Sequence, residues 1–454
     1  MSELFYDDAL PEMVRILRTS LSVSQIEENL FLRDPSGLLT FVVVTTDIQK
    51  SSLAELNRTI TAKLYPYVDN DGFAIATPDE LFDDTLVISA AFVQPIKADG
   101  AVLSLRMIDR RIVGADWLQV PASGGGIPRF VFASLKGGVG RSTALCVAAA
   151  ALASAGRRVL AIDMDVEAPG LGSMLLSEQT LPPLGLLDYL VETNFGRSAD
   201  DLFDLLTAPS WLSHGSGVID VIPALGVKAL STPQSVLSKV SRAYLSHENA
   251  KQGVTARMQQ LLRAAEATLR YDVILVDARA GLHETTGAAL LGLGAQLLFF
   301  GTYQPQTFQA YKLLFSNLAL AAGNQLNGSI SVIHAKAPAN AVSRAEFAKQ
   351  MQDLLKEATS AITSDDRSTD KIIGFEVDWE TDEEVLDNRL AEFLVEEDQA
   401  PAVVHILESE LFRDFDPLTK PEALSAELYR AVYGGFVDHI FRLGAVDAMG
   451  VEDE

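Results

Sequence analysis

The residues best suited to chemistry lie in one stretch of this 454-residue chain, Ser134-Leu135-Lys136-Gly137-Gly138-Val139-Gly140-Arg141-Ser142-Thr143. Glycines let a backbone fold tightly around an anion, and the free amides at the start of a following helix point at it. A hydroxyl directly after such a loop, here Ser142, can ligate magnesium. The commoner pattern G-x-x-x-x-G-K-[ST] is not met: Leu135 stands where its first glycine belongs and Arg141 where its lysine belongs. A guanidinium keeps the positive charge but is bulkier and planar, so it is no simple replacement for a compact ammonium. Other reactive constellations are thin. His214, His247, His283, His334, His405 and His439 show no close metal-ligand spacing, so no metal beyond magnesium is expected. His283 reads as a structural side chain and not a general base. Cys146, the single cysteine, cannot form an internal disulfide; it reads as buried packing and fits a reducing cytoplasm.

Such a loop needs a strand before it and a helix after it. From Arg129 onward, short apolar runs alternate with helical stretches: Arg129–Ser134, Arg158–Ile162, Val218–Ile222, Tyr271–Val276, Ala295–Phe300, Ser329–His334 and Ile372–Val377. That alternation predicts an α/β fold, a doubly wound, mostly parallel sheet with crossover helices. Ile362–Asp370 reads as a loop, and the acidic run Glu376–Asp387 as a solvated face. Leu424, Leu428, Val432, Phe436 and Ile440 recur every four residues, which predicts the buried side of a terminal helix.

Residues 1–120 read as a separate small α+β domain: a helix at Pro11–Leu21, a hairpin within Leu30–Thr46 around Asp34-Pro35-Ser36-Gly37, a helix at Ser52–Tyr67, and a second strand pair, Thr85–Val93 with Ala101–Ile112. This domain carries no motif with chemistry. Ser123-Gly124-Gly125-Gly126-Ile127-Pro128 reads as a flexible linker, so the expected division is 1–120, linker 121–128, and 129–454.

The loop resembles the deviant Walker A motif, K-G-G-x-G-K-[ST], of the MinD/ParA family of P-loop ATPases. Two further motifs follow in the family's order. Val159-Leu160-Ala161-Ile162-Asp163-Met164-Asp165 resembles its second strand and switch I, and Val273-Ile274-Leu275-Val276-Asp277-Ala278-Arg279-Ala280-Gly281 resembles its Walker B strand and switch II. A variant form of the family carries K-G-G-x-G-R-S followed by D-x-D-x-E-A-P-G-L. This chain has Arg141 and then Asp163-Met164-Asp165-Val166-Glu167-Ala168-Pro169-Gly170-Leu171, so Arg141 is a subgroup trait. The resemblance implies that Gly137, Gly138, Val139, Gly140, Arg141, Ser142 and Thr143 wrap the phosphates. Ser142, Asp163 and Asp277 would serve magnesium, and Asp165 would orient the attacking water. Gly281 would offer its amide to the γ-phosphate. Lys136, the signature lysine, would cross to a partner subunit's phosphates in an ATP-dependent homodimer. GTP-reading relatives place T-K-x-D after a late strand. The run Val332–Asn340 lacks that Asp, so ATP is favoured, with Lys336 and Pro338 expected at the adenine.

The family implies an ATP-hydrolysing switch that recruits a partner, and charge trims the choice of partner. A net charge of −25 disfavours non-specific DNA binding and leaves only a local patch as a route to it. The acidic end Val451-Glu452-Asp453-Glu454 is unlike a basic amphipathic membrane helix, no stretch reads as a membrane span, and Met1–Leu10 lacks the regions of a signal peptide. A protein partner bound through the N-terminal module remains. The alternatives are a nucleotide-stabilised scaffold with little turnover, and a bacterial-type tyrosine kinase. The latter needs a tyrosine-rich tail, and no tyrosine follows Tyr433.

Overall fold

Contacts divide the chain into two compact units, Met1–Leu118 and Gln119–Glu454. In the computed structural model of the protein, the described residues are 4–46, 48–87, 92–98, 101–111, 114–213, 215–244, 253–322, 329–363 and 402–449.

In the smaller unit, α1 (Tyr6–Leu17) and α2 (Val23–Glu28) precede β1 (Leu30–Arg33) and β2 (Leu39–Val42); α3 (Lys50–Leu64), β3 (Ile75–Ala76), β4 (Phe92–Ala98) and β5 (Ala101–Asp109) follow. The strand order is β3-β2-β1-β5-β4, with β1 antiparallel to β2 and parallel to β5. The β1–β2 turn closes on Asp34, whose Oδ1 accepts the amides of Ser36 and Leu38 at 2.8 Å each. An Asp side chain that holds its own backbone in this way stabilises a turn. Met13, Leu17, Ile60 and Leu64 from the helices bury against Phe31, Phe41 and Leu105 of the sheet. Of the strand expected at Thr85–Val93, the described residues 85–87 are not extended, while Phe92 and Val93 lie in β4. Asp83 captures the Thr85 amide and hydroxyl, and Asp84–Val87 is a 3₁₀ turn. Side-chain hydrogen bonds to nearby backbone compete with strand formation in this way.

The larger unit runs through β6 (Arg129–Ser134), α4 (Arg141–Ser154), β7 (Arg158–Asp163), α5 (Leu171–Leu175), α6 (Leu186–Glu192), α7 (Ala199–Leu206), β8 (Ala208–Pro209), β9 (Val218–Ile222), α8 (Val227–Ser231), α9 (Val236–Ala243), α10 (Val254–Ala267), β10 (Val273–Asp277), α11 (Glu284–Gly292), β11 (Gln296–Gly301), α12 (Pro305–Ala322), β12 (Ile330–Ala337), α13 (Ala341–Thr363), β13 (Ala402–Leu407) and α14 (Ala426–Met449). The strand order is β13-β12-β11-β6-β10-β7-β9-β8. Every neighbouring pair is parallel except β8–β9. This is the expected doubly wound sheet. Its strands are apolar on both faces, as a sheet covered on both sides requires. Phe132, Leu275 and Phe300 pack towards α4 and α14, while Phe299 meets Tyr311 and Phe315 of α12.

Every residue from Ala144 to Ala153 of α4 is buried. None is larger than Leu, so the helix lies close against both the sheet and α14. The terminal helix buries Tyr429, Tyr433, Phe436 and Ile440. The predicted stripe therefore holds at Phe436 and Ile440, while Leu428 and Val432 are only half-buried, because a strict four-residue repeat drifts around a helix of 3.6 residues per turn; Leu424 is buried but lies in the 3₁₀ turn before the helix.

The loop expected at Ile362–Asp370 starts inside α13, which runs to Thr363, and its remainder, the strand expected at Ile372–Val377 and the acidic run Glu376–Asp387 lie outside the described residues; the outer neighbour of β12 is β13, for which no strand was expected. The glycine-rich stretch read as a flexible linker is fastened to the larger unit. Ala122 N donates to Leu291 O at 2.7 Å, and the Arg129 guanidinium pairs with Glu266 at 2.5 Å. Gly126 has φ +76°, and a Cβ there would lie 2.4 Å from Glu266 Oε1, so the glycine permits the close approach.

Candidate functional site

Central strand β6 delivers the glycine loop. Gly138 and Gly140 adopt φ of +72° and +90°, backbone that only glycine takes without strain. Gly140 caps α4, and the Ala144 amide donates to Gly140 O at 2.9 Å. The amides at the first turn of α4 have no intrahelical partner and face the loop, which makes an anion cradle with the positive end of the helix behind it.

Two neighbouring strands bring carboxylates to the same level. Asp163 ends β7 and Asp277 ends β10, and they are register partners. Asp163 is fully buried; its Oδ1 accepts the Asp165 amide at 3.0 Å and its Oδ2 the amides of Gly170 and Leu171 at 3.2 and 3.1 Å. These bonds shape the turn that carries Asp165. Ser142 donates its hydroxyl to Asp277 Oδ2. Asp277 Oδ1 is buried with no hydrogen-bond partner. Burial first, and the charge of Asp277 second, push the Asp163 carboxyl up to about 7. Asp277 is also raised by burial, against the pull of Arg141 and Ser142.

Arg141 is only 8% exposed. Its Nη1 donates to Ala278 O, its Nη2 lies 3.7 Å from Asp165 Oδ2, and its Nε lies 3.9 Å from Asp277 Oδ1. The guanidinium thus spans the two carboxylate loops, a reach a compact ammonium lacks. Two carboxylates, Asp165 and Asp277, face this one cation, and Asp163 is the register partner of Asp277. An orphaned, buried oxygen, raised carboxyl pKa values and a serine hydroxyl make a hard oxygen set that fits magnesium.

Lys136 is exposed and donates from Nζ to Gln304 Oε1 at 3.0 Å, away from its own loop. Gly281 sits at φ +89°, but its amide donates to Ser134 O at 2.9 Å and is directed into the protein. Lys336, at a bulge in the β12–β13 pairing, reaches back to donate to Gly138 O at 2.8 Å. It lines, with the loop and Ser142 and Thr143, a cleft of about 310 Å³. Pro338 is not among the residues that line this cleft; its carbonyl accepts from Arg344. The far end of the cleft is made by Met174, Ile406, Glu408, Ser409, Phe412, Arg413 and Tyr433, none of which the sequence reading singled out for the site. No local motif marks them, because they come from four separate elements. Cys146 is buried and its thiol is pushed up by burial. His334 and His405 are register partners on β12 and β13. Among the described residues no group of three or more His, Cys, Asp or Glu is arranged to hold a metal ion.

Comparison with known proteins gives the family. The CobQ/CobB/MinD/ParA nucleotide binding domain matches residues 130–358. A search of curated proteins found no match. Among solved structures, the MinD cell division protein of Aquifex aeolicus is 16% identical, with 72% of this chain and 98% of that chain covered and a TM-score of 0.39. A ParA family ATPase from Chlorobium tepidum is 17% identical, with 69% and 98% covered and a TM-score of 0.39. A plasmid partition protein from Borrelia burgdorferi is 18% identical, with 66% and 96% covered and a TM-score of 0.32. The family match spans β6 through α13, the segment that carries the glycine loop and both carboxylate strands, and on that ground the chain belongs to the CobQ/CobB/MinD/ParA nucleotide-binding family.

Proposed function

We propose that the protein is an ATP-hydrolysing molecular switch that dimerises around nucleotide and recruits a protein partner through residues 1–120. The observation that carries this reading is the buried Asp163–Asp277 pair beside Ser142 at the mouth of the glycine cradle. Carboxylates so placed are under-neutralised by Arg141 alone, and a divalent cation with its phosphates completes the charge balance. When bound, magnesium would supply positive charge to the phosphate oxygens and hold them in line. Ser142, Asp163 and Asp277 are the residues to hold it.

Within the chain, residues Gly137 to Thr143 bind phosphate through main-chain amides, and Thr143 contacts the α-phosphate. Asp165, fixed by the bond from its own amide to Asp163, orients the attacking water. Gly281 serves the γ-phosphate only once its amide leaves Ser134 O. Lys136 is free of its own cradle and serves the phosphates of a second subunit, where a cation meets charge that develops in transfer. Lys336 and Tyr433, which line the cleft, would hold the base, whereas Pro338, expected beside it, does not line that cleft.

One observation favours a second reading, a nucleotide-stabilised scaffold. Arg141 is already engaged by Ala278 O and two carboxylates, and a cation so held is costly to redirect towards phosphate. Calorimetry and phosphate release separate the two. The switch reading expects Mg-ATP binding that weakens in Ser142→Ala far more than binding of magnesium-free ATP, together with turnover that rises with protein concentration. Binding without turnover under dimerising conditions selects the scaffold, and equal Mg-ATP affinity in parent and variant removes the metal assignment.

A further inference from the structure

One carboxylate oxygen in the larger unit collects three partners from two segments distant from its own. Glu167, two residues after Asp165, uses Oε1 to pair with the Arg279 guanidinium, to accept the Tyr244 hydroxyl at 2.9 Å, and to meet His283 Nε2 at 3.1 Å. The Tyr244 and His283 rings meet edge to face at 5.0 Å. Arg279 follows Asp277 by two residues, and its carbonyl accepts the Thr286 hydroxyl at 3.0 Å. Tyr244 directly follows α9. The end of α9 is pinned by the buried Arg257 of α10, which donates to Ala243 O at 2.7 Å. Glu167 is also tied inward, because Asp165 Oδ1 accepts the Ala168 amide at 3.1 Å. The loop after β7, the loop after β10 and the end of α9 therefore converge on a single side chain beside the phosphate site.

We infer that Glu167 is a positioning residue for phosphoryl transfer, which, with Arg279, clamps the Asp165 loop to the Asp277 loop and ties both to α9 through Tyr244. This rests on the ATPase reading above. Asp165 sits on a turn held by backbone bonds to Asp163, and those bonds fix the root of the turn but not its outer edge. The Glu167–Arg279 pair fixes the outer edge. Both side chains are about three-quarters buried, at 29% and 24% exposure, so solvent screens the pair less than it would a fully exposed one. A misplaced Asp165 would still leave the glycine cradle intact, so the expected loss falls on the chemical step and not on nucleotide binding.

The test uses the full chain. Glu167→Ala and Arg279→Ala should each lower kcat by about tenfold or more while the ATP dissociation constant stays within about threefold, a split that general loss of folding does not produce. The double variant should be no worse than either single one, since both remove the same contact. Exchanging the charges, Glu167→Arg with Arg279→Glu, should recover part of kcat. Amide hydrogen exchange on the nucleotide-free protein gives an arm independent of turnover: each single variant should raise exchange in both 164–171 and 278–284. Additive losses, or increased exchange confined to the mutated loop, would overturn the clamp. Failure of the parent chain to bind Mg-ATP in calorimetry would instead overturn the ATPase reading, and the exchange result would still decide whether the two loops are clamped.

Discussion

The two ends of the nucleotide cleft are built by different means. At the phosphate end, ten consecutive residues and two strand-terminal aspartates make the site, and each acts through backbone geometry or a fixed charge. At the far end, side chains from α5, β13, the 408–413 loop and α14 meet only because the strand order places β13 three strands from β6. Anion binding requires a particular local backbone, and local backbone is written in contiguous sequence. An apolar wall requires only volume and shape, which many sequences supply. The first end should therefore be brittle to single substitutions and the second tolerant.

The largest effects are expected at the phosphate end. Asp165→Ala should retain ATP binding and lose turnover by about 100-fold or more, the scale of a lost general acid–base group; steady-state phosphate release with parallel calorimetry reads both. Lys136→Ala should leave ADP binding by the monomer intact and abolish ATP-dependent dimerisation, measured by light scattering with a non-hydrolysable analogue. Arg141→Ala should do the reverse and weaken binding within one subunit. A Lys136 variant that dimerises as the parent does would erase the distinction between a cradle residue and a crossing residue.

A smaller effect is expected at the far end. Phe412, in edge contact with Tyr433 at 4.8 Å, lines the cleft, and Phe412→Ala should weaken ATP by about tenfold, consistent with one aromatic contact. Pyrophosphate binding should be unchanged, and a parallel loss for pyrophosphate would mean that the two ends are not separable.

The smallest effect concerns stability. His334 on β12 is fully buried and stacked on Phe347 at 3.9 Å, and burial holds its imidazole down at about 4. Its folded pKa lies below the unfolded value of about 6.5, so the unfolded chain binds the extra proton. Stability from this residue is complete above that value and falls as pH drops towards 4, by a total on the order of 3 kcal/mol. His405 and His439 are lowered in the same direction. His334→Phe should flatten the decline in melting temperature between pH 6.5 and 4 without altering ATP affinity at pH 7.5. A further cut sharpens the boundary between the units. A chain beginning at Gln119 keeps the Ala122–Leu291 and Arg129–Glu266 contacts and should fold and bind ATP while failing to recover a partner; one beginning at Phe130 should melt lower.

The sequence alone determined the glycine cradle, the strand that feeds it and the two strands that end in Asp163 and Asp277. Each is specified within about ten residues, where a short continuous apolar run and the need for positive φ leave few choices. It also determined the parallel architecture, because runs buried on both faces cannot belong to a half-exposed sheet. What only the tertiary structure decided is everything that depends on partners distant in the chain. Arg141 turns to the carboxylates because β7 and β10 end at one level. Gly281 gives its amide to Ser134 because β10 pairs with β6. The linker is fastened because Leu291 and Glu266 lie beside it, and Glu167 gathers three segments whose sequences carry no mark of one another. Local propensity sets the backbone of each element, but the direction a charged side chain takes depends on which desolvated partner the fold brings within reach.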